Sequence, residues 1–92
     1  MISPPKIVKI YPSTRFTKSY RRLPARIQIL AKKKDKLFRN DVFHLTLKTH
    51  KLSGKLKENW AYSIDRRHRV MFRFVNKDEV VYLDIGTHDV YQ

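Results

Sequence analysis

The 92-residue sequence lacks several features that would assign it to a function class directly. It has no cysteine, which excludes disulfide frameworks and thiolate metal sites. Its only glycines, Gly54 and Gly86, do not form a glycine-rich phosphate loop. No apolar run approaches the ~18 residues of a membrane span, and Met1–Lys6 lacks the basic-then-apolar order of a signal peptide. We expect a single domain over residues 1–92, soluble, cytoplasmic and not membrane-bound.

Acidic residues are also scarce. Eight Asp and Glu stand against 21 Lys and Arg, which gives a formal net charge of +13. A chain with that excess repels itself, so a polyanionic partner is expected. Nucleic acid is the commonest such partner. An anionic membrane surface competes with it, but no basic amphipathic segment has a free hydrophobic face. An acidic protein that covers the basic surface is a third reading, and it can coexist with the first.

The N-terminal half predicts one strand followed by two helices. Residues 6–11 are rich in β-branched residues and favour a strand. Ser13 is suited to cap a helix, in which Phe16, Tyr20 and Leu23 recur at helical spacing. Pro24 can open a second helix that ends near residues 40–41. Residues 42–57 show no clean period and are predicted to form an ordered loop.

The C-terminal half predicts three strands, over residues 59–64, 69–75 and 79–85, with a hairpin turn at 76–78. The order β-α-α-β-β-β predicts an α+β fold in which the two N-terminal helices pack on one face of a small, mainly antiparallel twisted sheet.

Strand alternation predicts which residues face the helices. It places the following residues on the covered face: Trp60, Tyr62, Val70, Phe72, Phe74, Val81 and Leu83. Tyr82 and Asp84 then lie on the opposite face, where Arg69 and Arg73 have little to cover them. Such arginines suit phosphate binding. Alternatively, Arg73 pairs with Asp84 across the hairpin, and both readings remain open.

Four histidines, His44, His50, His68 and His88, match no zinc signature, so we expect no metal or cofactor. Metal-free RNA cleavage needs a base for the ribose 2′-hydroxyl, an acid for the leaving oxygen, and cations on the phosphate. Histidine and arginine can fill these roles near neutral pH. Pattern and charge alone therefore indicate a nucleic-acid-binding α+β domain.

Three linked segments carry a resemblance: His50-Lys51-Leu52-Ser53-Gly54, His68-Arg69-Val70 and Gly86-Thr87-His88. In this order they resemble the RelE/ParE toxin superfamily, nearest to its YafQ- and YoeB-like members, from about residue 6 to the end. The resemblance implies a type II toxin, a metal-independent endoribonuclease (mRNA interferase) that cuts mRNA in the ribosomal A site. It also implies an acidic antitoxin, with the toxin monomeric alone and in a higher-order assembly with that partner.

The resemblance also implies residue roles. Arg69 matches a phosphate or transition-state contact, His88 the general acid, and His50 a histidine that precedes the second strand of that family. Tyr91 lies near an aromatic residue that stacks or assists close to the C-terminus. The expected phosphate-binding cations around them are Lys51, Lys55, Arg66, Arg67 and Arg73.

The sequence departs from these relatives at other catalytic positions. The strand lysines of RelE fall near Ala61 and Ser63, the glutamate base of YoeB near Thr46, and an arginine of YafQ at Asp84. His50 is therefore the candidate base, although it can instead hold its loop by binding a backbone carbonyl. His44 is expected at the surface, and His68 in the hairpin.

Two other functions remain open. A ParE-like protein would poison DNA gyrase, but such proteins generally lack the histidine found here at position 88. A non-catalytic basic protein that binds RNA or the ribosome is the other alternative.

Overall fold

The computed structural model describes residues 6–56 and 58–91. The helices and strands in this range are β1 (Lys9–Pro12), α1 (Thr14–Arg21), α2 (Ala25–Asn40), β2 (His50–Lys51), β3 (Trp60–Ser63), β4 (Arg69–Asn76) and β5 (Glu79–Gly86). Short 3-10 turns lie at Leu45–Leu47, Gly54–Leu56 and His88–Tyr91, and we call the last one the closing turn. No helix among the described residues is long and apolar enough to span a bilayer.

The strand order is β1-β5-β4-β3-β2, with β1 parallel to β5 and the other neighbours antiparallel. This confirms the predicted α+β fold with a mainly antiparallel sheet. Strand β2 is new, because it falls within the predicted loop at 42–57. Its two residues are too few to show alternation, and pairing with β3 defines them as a strand.

Both helices begin as their capping residues predict, within one residue. The Ser13 hydroxyl accepts the backbone N–H of Phe16 at 3.0 Å and caps α1. Pro24 immediately precedes α2 rather than being its first residue. The helix α2 ends at Asn40, as expected.

The core lies between α2 and one face of the sheet. Ala31 and Phe38 of α2 are buried with Tyr62, Val70 and Phe72. The ring of Phe38 lies 4.5 Å from that of Tyr62, in a stacked arrangement. The Trp60 side chain is partly buried against this core, so the expectation that Trp60 and Tyr62 pack on the helix side is confirmed.

The predicted phase of β5 is wrong over residues 80–83, because its register with β4 shifts twice. Asn76 pairs with Glu79 but Phe74 with Val80, so Val75 of β4 is an extra residue. Phe72 pairs with Tyr82 but Met71 with Asp84, so Leu83 of β5 is a second one. Between the two shifts Val80 and Tyr82 enter the core in place of Val81 and Leu83, and beyond Leu83 the inward side returns to Ile85. Tyr82 was predicted to face away from the helices, but only 4% of it is exposed.

A chain of hydrogen bonds lies inside this core. Tyr82 donates to Asp35 of α2 at 2.7 Å, so the Tyr62 hydroxyl, 2.9 Å away, must donate to Tyr82. Burial raises the pKa of both phenols well above the ordinary value. Both groups therefore remain neutral donors at neutral pH and join α2 to β3 and β5.

Substitution of Tyr82→Phe should lower the free energy of unfolding by about 1–3 kcal/mol, because the buried Tyr62 hydroxyl and the half-buried Asp35 carboxylate lose their hydrogen bonds to it. Tyr11→Phe is the matched control, since its hydroxyl donates to Glu79 at an exposed position and should cost less than about 0.5 kcal/mol. Urea unfolding measures both values. Equal losses would contradict the importance of the buried bond.

Candidate functional site

The face of the sheet opposite α2, here called the open face, brings together two of the predicted site residues. His50 pairs with Ala61, which pairs with Met71, while Arg69 lies between Ser63 and Gly86 two residues further along. Cross-strand partners project from the same side of a sheet. His50 and Arg69 therefore share the open face.

The open face is more covered than the sequence predicts. Ala61 is fully buried and Met71 is 5% exposed. The closing turn contacts β4 and β5 and buries Val90, whose Cγ1 would lie 3.2 Å from a Cβ added at Gly86. The turn can approach this closely because Gly86 has no side chain.

Arg73 does not pair with Asp84. Its Nε and Nη2 donate to Oδ1 of Asn59 at 3.1 and 3.0 Å. Asp84 instead accepts the Nε of Arg15 in α1 at 2.8 Å. The register of the hairpin explains the difference, because Arg73 lies opposite Val81 and Asp84 lies opposite Met71.

A cleft of about 370 Å³, here called the Arg69 cleft, lies beside β3. It is lined by four cationic side chains and one carboxylate, together with two hydroxyl groups and an isoleucine: Lys34, Lys48, Arg66, Arg69, Asp65, Thr46, Ser63 and Ile64. Excess positive charge in a concave site concentrates anions. The cleft thus has the electrostatics of a phosphate site, and it contains the predicted cations Arg69 and Arg66.

The hydrogen bond of His50 determines which ring nitrogen is free. Nδ1 lies 2.9 Å from the carbonyl oxygen of Lys48. A carbonyl only accepts, so Nδ1 carries the proton and Nε2 has the lone pair in the neutral ring. Lys48 is the one non-glycine residue with positive φ, 51°, in the described part of the chain. The hydrogen bond to the Lys48 carbonyl, which was expected to hold the loop, therefore also leaves His50 in the tautomer that a general base requires.

His88 begins the closing turn, two residues after Gly86, the partner of Arg69. Paired Cα atoms lie about 5 Å apart and two residues span at most about 7 Å, so the Cα atoms of His88 and Arg69 are within roughly 12 Å. Strand spacing puts the Cα atoms of His50 and Gly86 roughly 16 Å apart. Arg69 on β4 therefore lies between β2, which carries His50, and the start of the closing turn, which carries His88.

Other predicted residues are not brought to this centre. Lys51 pairs with Trp60, so its side chain projects from the helix-covered face of the sheet, opposite to the face that carries His50. Lys55 and Arg67 are exposed and do not line the Arg69 cleft. The backbone of Tyr91 ends the closing turn, but its side chain lies outside the described part of the protein.

The other two histidines form hydrogen bonds within turns. His44 accepts the N–H of Thr46 through Nδ1 at 3.2 Å, and it is half-buried rather than fully at the surface. His68 lies before β4, as predicted, and its Nδ1 is 3.0 Å from Oδ1 of Asp65. No three His, Asp or Glu side chains group as potential metal ligands within the described ranges.

The hydrogen-bonded pair of Asp65 and His68 was not predicted from the sequence. Asp65 accepts backbone N–H groups of Arg67 and His68 at 2.9 and 2.7 Å. Burial by itself raises the pKa of the Asp65 carboxyl, but these bonds and the His68 ring outweigh it and hold the pKa below the ordinary value. The Asp-x-x-His spacing in a hairpin loop is the signal that predicts such a pair.

Comparison with known proteins was made at the level of sequence and of structure. Neither a scan against protein-family models nor a search of curated proteins finds a significant match. Solved structures do match. A YoeB/ParE toxin from Agrobacterium tumefaciens has a TM-score of 0.73 and 18% identity, and the alignment covers 88% of this chain and 99% of that one.

Two further structures support the same conclusion. YafQ from E. coli has a TM-score of 0.73 and 19% identity, with 89% of this chain and 94% of that chain covered. The RelBE2 toxin–antitoxin complex from Mycobacterium tuberculosis has a TM-score of 0.74 and 14% identity, with 96% and 95% covered. The chain therefore has the fold of RelE-, YafQ- and YoeB-type toxins.

Asp65→Asn should make stability less dependent on pH in the acid range. Because the folded pKa of Asp65 lies below the unfolded one, its carboxylate stabilises the fold above the unfolded pKa, and this is lost as pH falls through the folded pKa. The variant should be less stable than wild type at about pH 7, and the difference should shrink as the pH falls through the acid range. Urea unfolding measures this, and a difference that stays constant across the range would contradict it.

Proposed function

We propose that this chain is the toxin of a type II toxin–antitoxin pair and cuts messenger RNA as a metal-independent endoribonuclease. The main support is the placement of Arg69 between His50 and the turn that begins with His88, on the open face. The toxin-like fold and the net charge of +13 are consistent with this function.

The proposed reaction is attack of the ribose 2′-oxygen on the adjacent phosphorus. Nε2 of His50 removes the 2′-hydroxyl proton, the bond from O2′ to phosphorus forms, and the bond from phosphorus to O5′ breaks. His88 donates a proton to the leaving 5′-oxygen. The products are a 2′,3′-cyclic phosphate and a free 5′-hydroxyl.

Arg69 stabilises the charge on the phosphoryl oxygens as this reaction proceeds. Its guanidinium can donate two hydrogen bonds to one phosphate, and the charge does not depend on pH in the working range. Lys48 and Arg66, which line the same cleft, bind the neighbouring phosphates. Arg73, oriented by Asn59, binds the strand further along the open face. The side chain of Tyr91 is assigned to base stacking by resemblance alone.

The ribosome and an antitoxin complete the proposal. We place cleavage in the ribosomal A site, as the family resemblance implies, because a strongly basic domain is attracted to ribosomal RNA. An acidic antitoxin would neutralise the same surface, and the similar RelBE2 toxin is solved with its antitoxin.

Substitution of His88→Ala or Arg69→Ala should reduce the rate of messenger RNA cleavage by at least about 100-fold, because each removes a group that acts on the transition state. The assay adds purified protein to a translating extract and maps message ends by primer extension. His44→Ala is the control for His88, and Arg21→Ala, on the exposed side of α1, is the control for Arg69. Both controls should cut normally.

Two results would contradict this proposal in different ways. Intact message beside stalled ribosomes would show a binding protein without nuclease activity. Loss of DNA supercoiling by gyrase, with translation unaffected, would show a ParE-like function.

The pH dependence of cleavage should separate the two histidines. A general base must be unprotonated, so His50→Ala should abolish the rise in rate on the acid side of the profile. His88→Ala should instead abolish the fall on the alkaline side, since an acid must be protonated. Single-turnover cleavage rates between about pH 5 and pH 9 measure both limbs. An unchanged acid limb in His50→Ala would exclude His50 as the base.

A further inference from the structure

A second basic cleft, here called the α1 cleft, lies between α1 and the start of the closing turn. Its volume is about 830 Å³, within the range of about 300–1,000 Å³ that is typical of ligand sites. Arg15 and Lys18 of α1 and its C-cap residue Arg22 line one wall, and His68 and Thr87 line the other. None of these residues has a role in the proposed reaction.

The charge of the α1 cleft arises from the spacing of its cations. Residues 15, 18 and 22 follow an i, i+3, i+7 pattern, which aligns them on one side of the helix. Arg15 forms an ion pair with Asp84, whose side chain is only 6% exposed. Lys18 and Arg22 have no acidic partner among the described residues, so the cleft keeps an excess of positive charge.

His68 adds a polar atom without a protein partner. The Asp65 carboxylate accepts a hydrogen bond from Nδ1 of His68, so Nδ1 carries a proton. Nε2 has no hydrogen-bond partner among the described residues. The side chain is only 15% exposed and lines the cleft. Nε2 can donate a hydrogen bond when the ring is protonated, as a ligand with anionic oxygens would require.

The α1 cleft adjoins the candidate active site at the end of the sheet. His68 and Thr87 of this cleft immediately precede the proposed catalytic residues Arg69 and His88 in sequence. A strand that passes Arg69 on the open face can therefore continue over the end of the sheet into this cleft.

We infer that the α1 cleft binds the phosphodiester backbone of single-stranded RNA, through Lys18, Arg22 and His68, next to the nucleotide that is cut. The choice of RNA rests on the proposed function, but binding in the cleft can be measured without cleavage. A single-stranded RNA of about ten nucleotides with 2′-O-methyl groups lacks the attacking hydroxyl and cannot be cut by the proposed reaction.

The test compares two double variants with the same change in net charge. Lys18→Glu with Arg22→Glu alters the cleft. Lys33→Glu with Lys36→Glu alters exposed positions on α2 that line none of the clefts described above. Fluorescence anisotropy gives the Kd for the 2′-O-methyl RNA between about 50 and 200 mM salt. Circular dichroism and thermal unfolding confirm that both variants fold.

The cleft variant should bind at least about 10-fold more weakly than the α2 variant at the lowest salt. Loss of two phosphate contacts should also reduce the slope of log Kd against log salt by about 1.4, because each contact on a single strand contributes about 0.7. In NMR spectra, the ring signals of His68 should shift when the RNA is added, and those of His44 should not.

Equal weakening in both variants would overturn the inference, since it would reflect net charge alone, and so would unchanged binding in the cleft variant. If the wild type cuts message while the cleft variant binds normally, only the cleft assignment is lost. If the cleft binds RNA but the message stays intact, the cleft stands and the nuclease function is lost. Wild-type protein that binds no RNA would overturn the cleft assignment whatever the cleavage assay shows.

Discussion

The register between β4 and β5 determines how the rest of the molecule is arranged. Leu83 interrupts this pairing, and its carbonyl oxygen accepts the Ser13 hydroxyl at 3.0 Å. Ser13 also caps α1, so one side chain joins the bulge at Leu83 to the first helix. Between Val75 and Leu83 the shifted register places Tyr82 in the core, and beyond Leu83 Asp84 lies opposite Met71 and binds Arg15. The core, the α1 cleft and the end of β5 thus depend on the same register.

Acidic residues are few, and several have structural partners. Asp35 accepts Tyr82 and Arg39, Asp65 holds the hairpin with His68, Asp84 binds Arg15, and Glu79 accepts Tyr11. Half of the eight acidic groups are therefore used to stabilise particular elements. Most of the 21 Lys and Arg residues have no anionic partner within the chain, because there are too few. Seven of these cations line the two clefts against two carboxylates, so each cleft keeps an excess of positive charge that a polyanion would bind.

The parts of the fold that follow a regular period were predictable. The helices, β4 and the helix-facing side of β3 agree with their sequence patterns, since each pattern is uninterrupted. The phase of β5 was not predictable, because the two register shifts, at Val75 and Leu83, arise from its pairing with β4. The Leu83 carbonyl is also bonded by Ser13, which is 70 residues away. The strand β2 was missed for a similar reason, since β3 defines it.

The candidate site shows the same division. Arg69 was assigned to the open face from alternation, because β4 is regular where it lies. The roles of His50 and His68 depend on the acceptors that their Nδ1 atoms meet, the Lys48 carbonyl and the Asp65 carboxylate. Those partners come from loops, whose conformation has no period to read. Only a short-range pattern such as Asp-x-x-His indicates one of these loop contacts in the sequence.

The two acceptors suit different tasks. The Asp65 carboxylate accepts from Nδ1 of His68 and leaves Nε2 for the phosphate that we place in the α1 cleft. A carbonyl fixes the tautomer of His50 without adding a full charge, and this suits a base that must begin each cycle unprotonated. Arg69 lies between these histidines, next to His68 in sequence and on the same face as His50. An RNA strand bound at both would therefore be held on the two sides of the phosphate that Arg69 contacts.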